Sequence, residues 1–113
     1  MLFRSAGLAL IKPGATIGAL SDFVNGFGSK RGMKTAMQMH GCGYGDDGPL
    51  VSRRFAGART RDLEIASGNA FVWKPIAMTA DERIVFTWGG PVLVAAQGAE
   101  ALSERAPGLV SIV

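Results

Sequence analysis

The order of hydrophobic and polar positions divides the chain into a helical first part and a strand-rich second part. Apolar residues dominate Leu2 to Ile11, which predicts a helix that Lys12-Pro13-Gly14 ends, because proline cannot continue a helix. Thr16 is a capping residue, and the apolar residues after it recur at helical spacing, which predicts a second helix on Ile17, Leu20, Phe23, Val24 and Phe27. Gly26 and Gly28 are expected to end this helix.

The second part of the chain predicts a sheet. Lys34 to Met39 alternates polar and apolar residues, as strands do, whereas Gly41 to Pro49 and Leu50 to Ile65 predict loops. Three further strands and a short closing helix are expected at Ala70 to Trp73, Ile84 to Trp88, Val92 to Ala96 and Ala99 to Arg105. Helices followed mostly by strands predict an α+β fold with an antiparallel sheet, folded as a single domain over residues 1–113.

Composition narrows the classes of function. Hydrophobic residues make up 48% and charged residues 19% of the 113 residues, which favours a globular fold over disorder. The apolar runs are far shorter than the ~20 residues that span a bilayer, so no membrane segment is expected. Cys42 is the only cysteine, which excludes an internal disulfide, favours a reducing compartment and predicts a cytoplasmic location.

The positive charge is modest and scattered. The formal net charge is +3 at pH 7. Only Lys30 to Lys34 and Arg53 to Arg61 come close to the clustered, aromatic-interleaved pattern of a nucleic-acid site. Solvated basic loops account for this distribution, so nucleic acid is not expected as a partner.

His40 and Cys42 are the first candidates for chemistry. His40 is the only histidine, and it precedes a glycine-rich loop where it could act as a general base or a metal ligand. A structural histidine is the alternative. Cys42 lies two residues further on and would face the same side in an extended chain. A small buried thiol is its alternative, and two ligands do not make a zinc site.

Three further charged residues are candidates. Asp46 and Asp47 could serve as an acid and a base or bind a cation, but aspartate is also favoured in such a Gly-Asp-Asp-Gly-Pro turn for its own backbone hydrogen bonds. Lys74 follows a predicted strand between apolar residues. Its side chain is either partly buried or extended towards solvent.

Five segments occur together in an order that is typical of one hydrolase family. They are Ala9 to Thr16, His40 to Gly43, Gly68 to Pro75, Trp88 to Val94 and Gln97 to Leu102. In turn they resemble the a-i-k-P-G-v-t, H-G-x-G, p-G-m-v-f-t-i-E-P, i-E-D-t-v-l-V-T and e-G-a-e-r-L segments of the pita-bread hydrolases. That family includes creatinase, aminopeptidase P, prolidase and methionine aminopeptidase.

The resemblance implies half of a pita-bread fold, a curved antiparallel sheet with helices on one face. The chain resembles the second of the family's two pseudo-symmetric halves. The family holds two metal ions with two Asp, one His and two Glu, and both Asp belong to the first half. His40 matches the His, whereas Lys74 and Gly89 stand where the two Glu are expected. Because an ammonium offers a cation no lone pair, we expect the dinuclear metal site to be lost and no cofactor to be bound.

The resemblance also implies candidate roles in substrate binding and catalysis. Asp46 or Asp47 stands where the family has a second His near the substrate, so both are candidate substrate-binding residues. His40 and Lys74 are the candidate catalytic residues. His40 would face a small substrate, and Lys74 would hold a carboxylate or stabilise developing negative charge.

Two functional hypotheses follow from the resemblance. In the first, the chain is a fragment or stand-alone half of a Xaa-Pro aminopeptidase-like or creatinase-like hydrolase. It would act on amide or C–N bonds of a small peptide or amide substrate, either without metal or only when the missing N-terminal half is supplied. In the second, it is a non-catalytic module, a pseudoenzyme that pairs with itself as a homodimer. A third hypothesis, nucleic-acid binding through Arg53 to Arg61, lacks a recognition motif.

Overall fold

The computed structural model describes residues 2–41 and 58–103. Within them lie helices α1 (Leu2–Leu8), α2 (Ile17–Phe27) and α3 (Ala58–Arg61), a 3-10 turn (Ser29–Arg31), and strands β1 (Met33–Ala36), β2 (Met39–Gly41), β3 (Ala70–Trp73), β4 (Ile76–Thr79), β5 (Val85–Thr87), β6 (Gly90–Ala95) and β7 (Gly98–Ala101). None of the helices in this part of the chain is long and apolar enough to cross a membrane.

Helix α1 confirms the first predicted helix but is shorter. It ends at Leu8, and the amide of Ile11 then donates to the carbonyl of Leu8 at 3.1 Å in a closing turn. Pro13 and Gly14 follow, and Gly14 has a φ of 84°, a backbone conformation that glycine adopts without strain. The turn brings the amide of Gly14 to the carbonyl of Ile65 at 2.9 Å.

Helix α2 confirms the second predicted helix. The side-chain oxygen of Thr16 accepts a hydrogen bond from the amide of Ala19 at 3.1 Å and so caps the first turn. The helix runs through Gly26 and ends at Phe27, with Gly28 as its C-cap. Of the predicted apolar stripe, Ile17, Leu20 and Val24 are buried in the core. Phe23 packs against the core half-buried, and Phe27 is half-buried at the end of the helix.

The strands form two antiparallel sheets that continue into each other across a bend and together make one curved surface. Three strands pair on one side of the bend in the order β1-β4-β5, and four pair on the other side in the order β2-β3-β6-β7. The register of β1 with β4 continues unshifted into that of β2 with β3, and the register of β4 with β5 continues into that of β3 with β6. Three long strands therefore cross the bend, interrupted only at Met37-Gln38, Lys74-Pro75 and Trp88-Gly89.

The structure differs from the predicted elements at three places. The predicted strand at Lys34 to Met39 is split into β1 and β2 by the interruption at Met37-Gln38. Strand β4 was not predicted, because Ala77 and Met78 are both buried and the segment therefore does not alternate. The predicted loop at Leu50 to Ile65 contains α3, which the ion pair of Arg61 with Asp22 ties to α2 at 2.7 Å.

The predicted helix at Ala99 to Arg105 was wrong. Strand β7 occupies Gly98–Ala101 and pairs antiparallel with β6. Gly98 has a φ of 138°, which allows the tight turn from β6 into β7. The helix-forming residues Ala99, Glu100 and Ala101 become a strand because the edge of β6 offers them a complete ladder of hydrogen bonds.

One core lies between the helices and the four-stranded side of the sheet. Its buried members come from α2, from the strands and from the segments that connect them. They are Ile11, Ile17, Leu20, Val24, Met37, Met39, Ile65, Phe71, Trp73, Val92 and Val94. Trp73 is the largest of them and is fully buried. Helix α1 packs on its ring, where a side chain at Gly7 would come within 2.6 Å of the ring carbon Cζ2.

Two helical glycines test this packing. Gly7→Ala is expected to lower the free energy of unfolding by about 1–3 kcal/mol, because its methyl group would overlap the buried Trp73 ring. Gly26→Ala is the control. Its methyl group meets nothing within 4 Å, so it should raise the free energy by about 0.5–1 kcal/mol through the loss of backbone freedom. Urea unfolding measures both, and equal stabilisation by both would show that α1 does not pack on Trp73.

Candidate functional site

The bend of the sheet brings Lys74 beside Gly89 and Gln38. The amide of Lys74 donates to the carbonyl of Gln38 at 2.9 Å, which extends the β2–β3 ladder by one residue. The register of β3 with β6 pairs Trp73 with Gly90, so the next residue, Lys74, lies opposite Gly89. The hydroxyl of Thr87 donates to the carbonyl of Lys74 at 3.3 Å. The Lys74 backbone is therefore held from both sides.

His40 lies on the same face of the sheet as Lys74. In β2 and β3 the side chains of Met39, Phe71 and Trp73 are buried in the core, whereas His40 and Val72 alternate with them and are half-buried. His40 pairs with Val72, and Lys74 is two residues further along the same strand. Such diagonal neighbours have Cα atoms about 7–8 Å apart.

The imidazole of His40 has a defined orientation. Its Nδ1 lies 3.2 Å from the carbonyl oxygen of Gly41 and donates to it in the tautomer that is protonated at Nδ1. In that tautomer Nε2 carries the lone pair. A general base needs such a nitrogen lone pair.

Gly89 is a site of unusually close backbone approach. A Cβ atom at this position would lie 1.7 Å from the carbonyl oxygen of Trp73 and 2.7 Å from the Cα atom of Lys74. The missing side chain would thus point into the backbone of β3 rather than out over the sheet. No side chain, and so no carboxylate, fits at residue 89 unless the backbone moves.

The residues at the bend do not fit a pair of metal ions. The resemblance implies three metal-ligand positions in this chain. At these positions His40 offers a nitrogen ligand, Lys74 offers an ammonium group, and Gly89 has no side chain. Across residues 2–41 and 58–103, no three His, Cys, Asp or Glu side chains converge as ligands. The donor set of the family's dinuclear centre is therefore not present among these residues.

The segment that follows Gly41, which the sequence predicts to be a loop, lies outside the described residues. It carries Cys42, Asp46 and Asp47, and Arg53 and Arg54 lie beyond it. The roles predicted for Asp46 and Asp47 in substrate binding, and the geometry of Cys42 relative to His40, stay predictions.

A cavity of about 450 Å³ opens at the bend. Lys74 and Gly89 line it together with Arg4 from α1, but His40 does not. Arg4 was not predicted as a site residue. The available signal was its charge, which stands alone within the apolar segment of the first helix.

One carboxyl group away from the cavity has a shifted pKa. The hydroxyl of Thr79 donates to Asp81, and this hydrogen bond, followed by one from the amide of Arg83, holds the pKa of Asp81 below its ordinary value. Asp81 lies in the turn between β4 and β5 and is fully exposed. Its carboxylate orders this turn, in which Glu82 adopts a φ of 59° and pairs with Lys34 at 2.8 Å.

Solved structures resemble this chain, although no family model and no curated protein matches it. The methionine aminopeptidase of Rickettsia prowazekii matches with a TM-score of 0.71 at 17% identity, over 88% of this chain and 47% of that enzyme. The methionine aminopeptidase of Thermotoga maritima matches with a TM-score of 0.67 at 15% identity, over 92% of this chain and 49% of that enzyme.

These matches confirm the predicted fold. The chain has the α+β architecture of half a pita-bread fold, and it spans about half the length of the two enzymes. At such low identity the likeness concerns the fold alone.

Adjacent glycines test the close approach at the bend. Gly89→Ala is expected to lower the free energy of unfolding by about 3 kcal/mol or more, because its methyl group would collide with the carbonyl of Trp73. Gly90→Ala, whose methyl group meets nothing within 4 Å, should change it by less than about 1 kcal/mol. Thermal unfolding compares the two. A Gly89→Ala protein as stable as Gly90→Ala would mean that residue 89 can carry a side chain.

Proposed function

We propose that the chain forms one half of the cleft of a hydrolase that acts on an amide or C–N bond without a dinuclear metal centre. The observation that carries this proposal is the placement of His40 and Lys74 on one face of a sheet whose fold matches half of a methionine aminopeptidase. Asp46 and Asp47, which follow His40 in the sequence, are the proposed substrate-binding residues.

His40 would act as the general base. In the tautomer that donates Nδ1–H to the carbonyl of Gly41, Nε2 would take a proton from water as the water attacks the carbon of the scissile C–N bond. The imidazolium would then give that proton to the leaving nitrogen as the C–N bond breaks. Lys74 would stabilise the negative charge that develops on the substrate, since an ammonium group needs no metal to do so. The backbone hydrogen bonds on both sides of Lys74 hold its Cα atom in place for this role.

The second half of the cleft would come from another polypeptide segment or from a second copy. The chain spans 47% and 49% of the two matching enzymes, so the other half of their fold has no counterpart in it. A small peptide or amide substrate would bind between the two halves. The cytoplasmic location predicted from the single cysteine is part of this proposal.

Hydrolysis assays test the proposal. The probes are a methionyl peptide, an Xaa-Pro dipeptide and a guanidino acid, with the mass of the protein measured by light scattering on the same sample. We expect hydrolysis of at least one probe that survives EDTA. It should fall roughly 10²–10⁴-fold in His40→Gln, which removes the general base.

Lys74→Met should lower the same rate roughly 10²–10³-fold, because the charge that stabilises the transition state is lost. Lys30→Met, at an exposed lysine in the 3-10 turn, is the matched control and should leave the rate unchanged. Hydrolysis that EDTA abolishes and Mn²⁺ restores would contradict the metal-free mechanism.

A self-pairing, non-catalytic module is the second candidate function, and a sheet edge that no other strand of residues 2–41 and 58–103 covers favours it. Strand β5 pairs with β4 on one side, and its residues Val85, Phe86 and Thr87 are all exposed. Ile84 beside it is 68% exposed. An apolar edge strand is a template for pairing with another chain. Two copies joined there would together have about the length of one matching enzyme.

A lysine at the edge tests self-pairing. We expect the wild-type chain to be a dimer by light scattering and Val85→Lys to be a monomer, because a charge on the edge strand blocks strand addition. Leu63→Lys is the matched control, since Leu63 is a similarly exposed apolar residue outside the strands, and it should stay dimeric. A dimer that persists in Val85→Lys would rule out pairing through β5.

A further inference from the structure

The cavity at the bend is electropositive. Among its lining residues, Arg4 and Lys74 carry positive charge and Thr87 and Ser103 carry hydroxyl groups. None of the lining residues in the described part of the chain is an Asp or a Glu. Two cationic residues that line one partly enclosed space attract an anion into it. The volume of about 450 Å³ is that of a site for a small molecule.

Arg4 has a polar atom that the protein itself leaves unsatisfied. Its Nε is buried and has no hydrogen-bond partner among the described residues. A buried donor of a charged group is costly to leave unpaired, and in native structures such a group usually has an acceptor. An anion in the adjoining cavity would reach the guanidinium through its two terminal nitrogens, which are not among the buried unpaired atoms of the described residues.

Contacts with the buried Trp73 side chain fix the position of the Arg4 backbone. The carbonyl of Arg4 accepts a hydrogen bond from Nε1 of the fully buried Trp73 at 3.4 Å. Gly7, one turn later in α1, packs against the same ring. The backbone that carries Arg4 is therefore anchored next to the strand that carries Lys74.

The charges of Arg4 and Lys74 are not neutralised within the described residues. The ion pairs formed there join Lys34 to Glu82 and Arg61 to Asp22. Guanidinium and ammonium groups bind carboxylate and phosphate oxygens strongly because these hydrogen bonds are charge-assisted.

A second cavity offers an apolar surface beside the first. This space of about 380 Å³ shares Arg4 and Trp88 with the first cavity and is lined by apolar side chains that include Phe27, Ile84 and Phe86. A ligand whose acidic group reaches Arg4 and Lys74 could rest its apolar part on Trp88. A bare inorganic ion would not use this surface.

We propose that the cavity is a binding site for a small organic anion, whose carboxylate or phosphate group is held jointly by the guanidinium of Arg4 and the ammonium of Lys74. This inference deepens the proposed function and rests on it, because Lys74 belongs to both. It gives the substrate an acidic group and gives Arg4 the role of a binding residue.

Calorimetric titration tests the site with three probes. They are N-acetylphenylalanine, its uncharged C-terminal amide, and inorganic phosphate, each at low ionic strength. We expect the free acid to bind and the amide to bind at least tenfold more weakly. Arg4→Met and Lys74→Met should each weaken binding of the acid roughly 10–100-fold, since each removes a charged hydrogen-bond donor. Lys30→Met, at an exposed lysine, should bind like the wild type.

The outcomes separate the two sources of an oxyanion. If phosphate binds as tightly as the acid and its binding depends equally on Arg4 and Lys74, the anion site is supported and the proposed apolar part of the ligand is contradicted. Equal binding of acid and amide, no binding of any probe, or acid binding that survives both Met variants would overturn the proposal. The comparison of acid with amide uses the wild-type protein alone, and Arg4→Lys, which keeps the charge, should retain part of the affinity.

The binding measurement is independent of turnover. A chain that binds the acid through Arg4 and Lys74 but hydrolyses none of the assay probes would retain the anion site and lose the proposed hydrolase function. A chain that hydrolyses a probe without binding the acid would lose the anion site alone.

Discussion

The contact between the backbones of Gly89 and Trp73 is the constraint on which the rest of the structure depends. Three strands cross the bend of the sheet there, and β6 can approach β3 this closely only because residue 89 has no Cβ atom. The Trp73 side chain fills the core on the other side of the same residue, where α1 packs on its ring. Trp73 thus contacts residue 89 at the bend of the sheet through its carbonyl group and contacts the first helix through its ring.

The chemistry at the bend follows from that constraint. Lys74 comes directly after Trp73, and its backbone is held by Gln38 and Thr87. The same packing anchors Arg4 beside it. At the two positions where the resemblance to the pita-bread hydrolases implies Glu ligands, this chain has Lys74 and Gly89, and Arg4 lines the same cavity. The charged residues that line the cavity in the described part of the chain are therefore cationic.

Local sequence patterns predicted the elements that depend on local interactions. The cap at Thr16, the apolar stripe of α2 and the strand at Ala70 to Trp73 all formed as expected, because each is decided by neighbouring residues. The prediction failed at β4 and β7. Ala77 and Met78 are both buried, so they do not alternate, and Ala99 to Ala101 favour a helix until β6 offers a strand partner.

Some features of the candidate site could be predicted from the sequence, and others depend on tertiary contacts. The sequence alone identified His40 and Lys74 as candidate residues and predicted the half-fold that contains them, because the order of the motifs can be read directly from the sequence. It also determined that Gly89 supplies no ligand. Only the tertiary structure decided that residue 89 has no room for a side chain and that Arg4 joins Lys74 at one cavity. Those facts depend on contacts between β3, β6 and α1, which are distant in sequence and adjacent only because the sheet bends around Trp73.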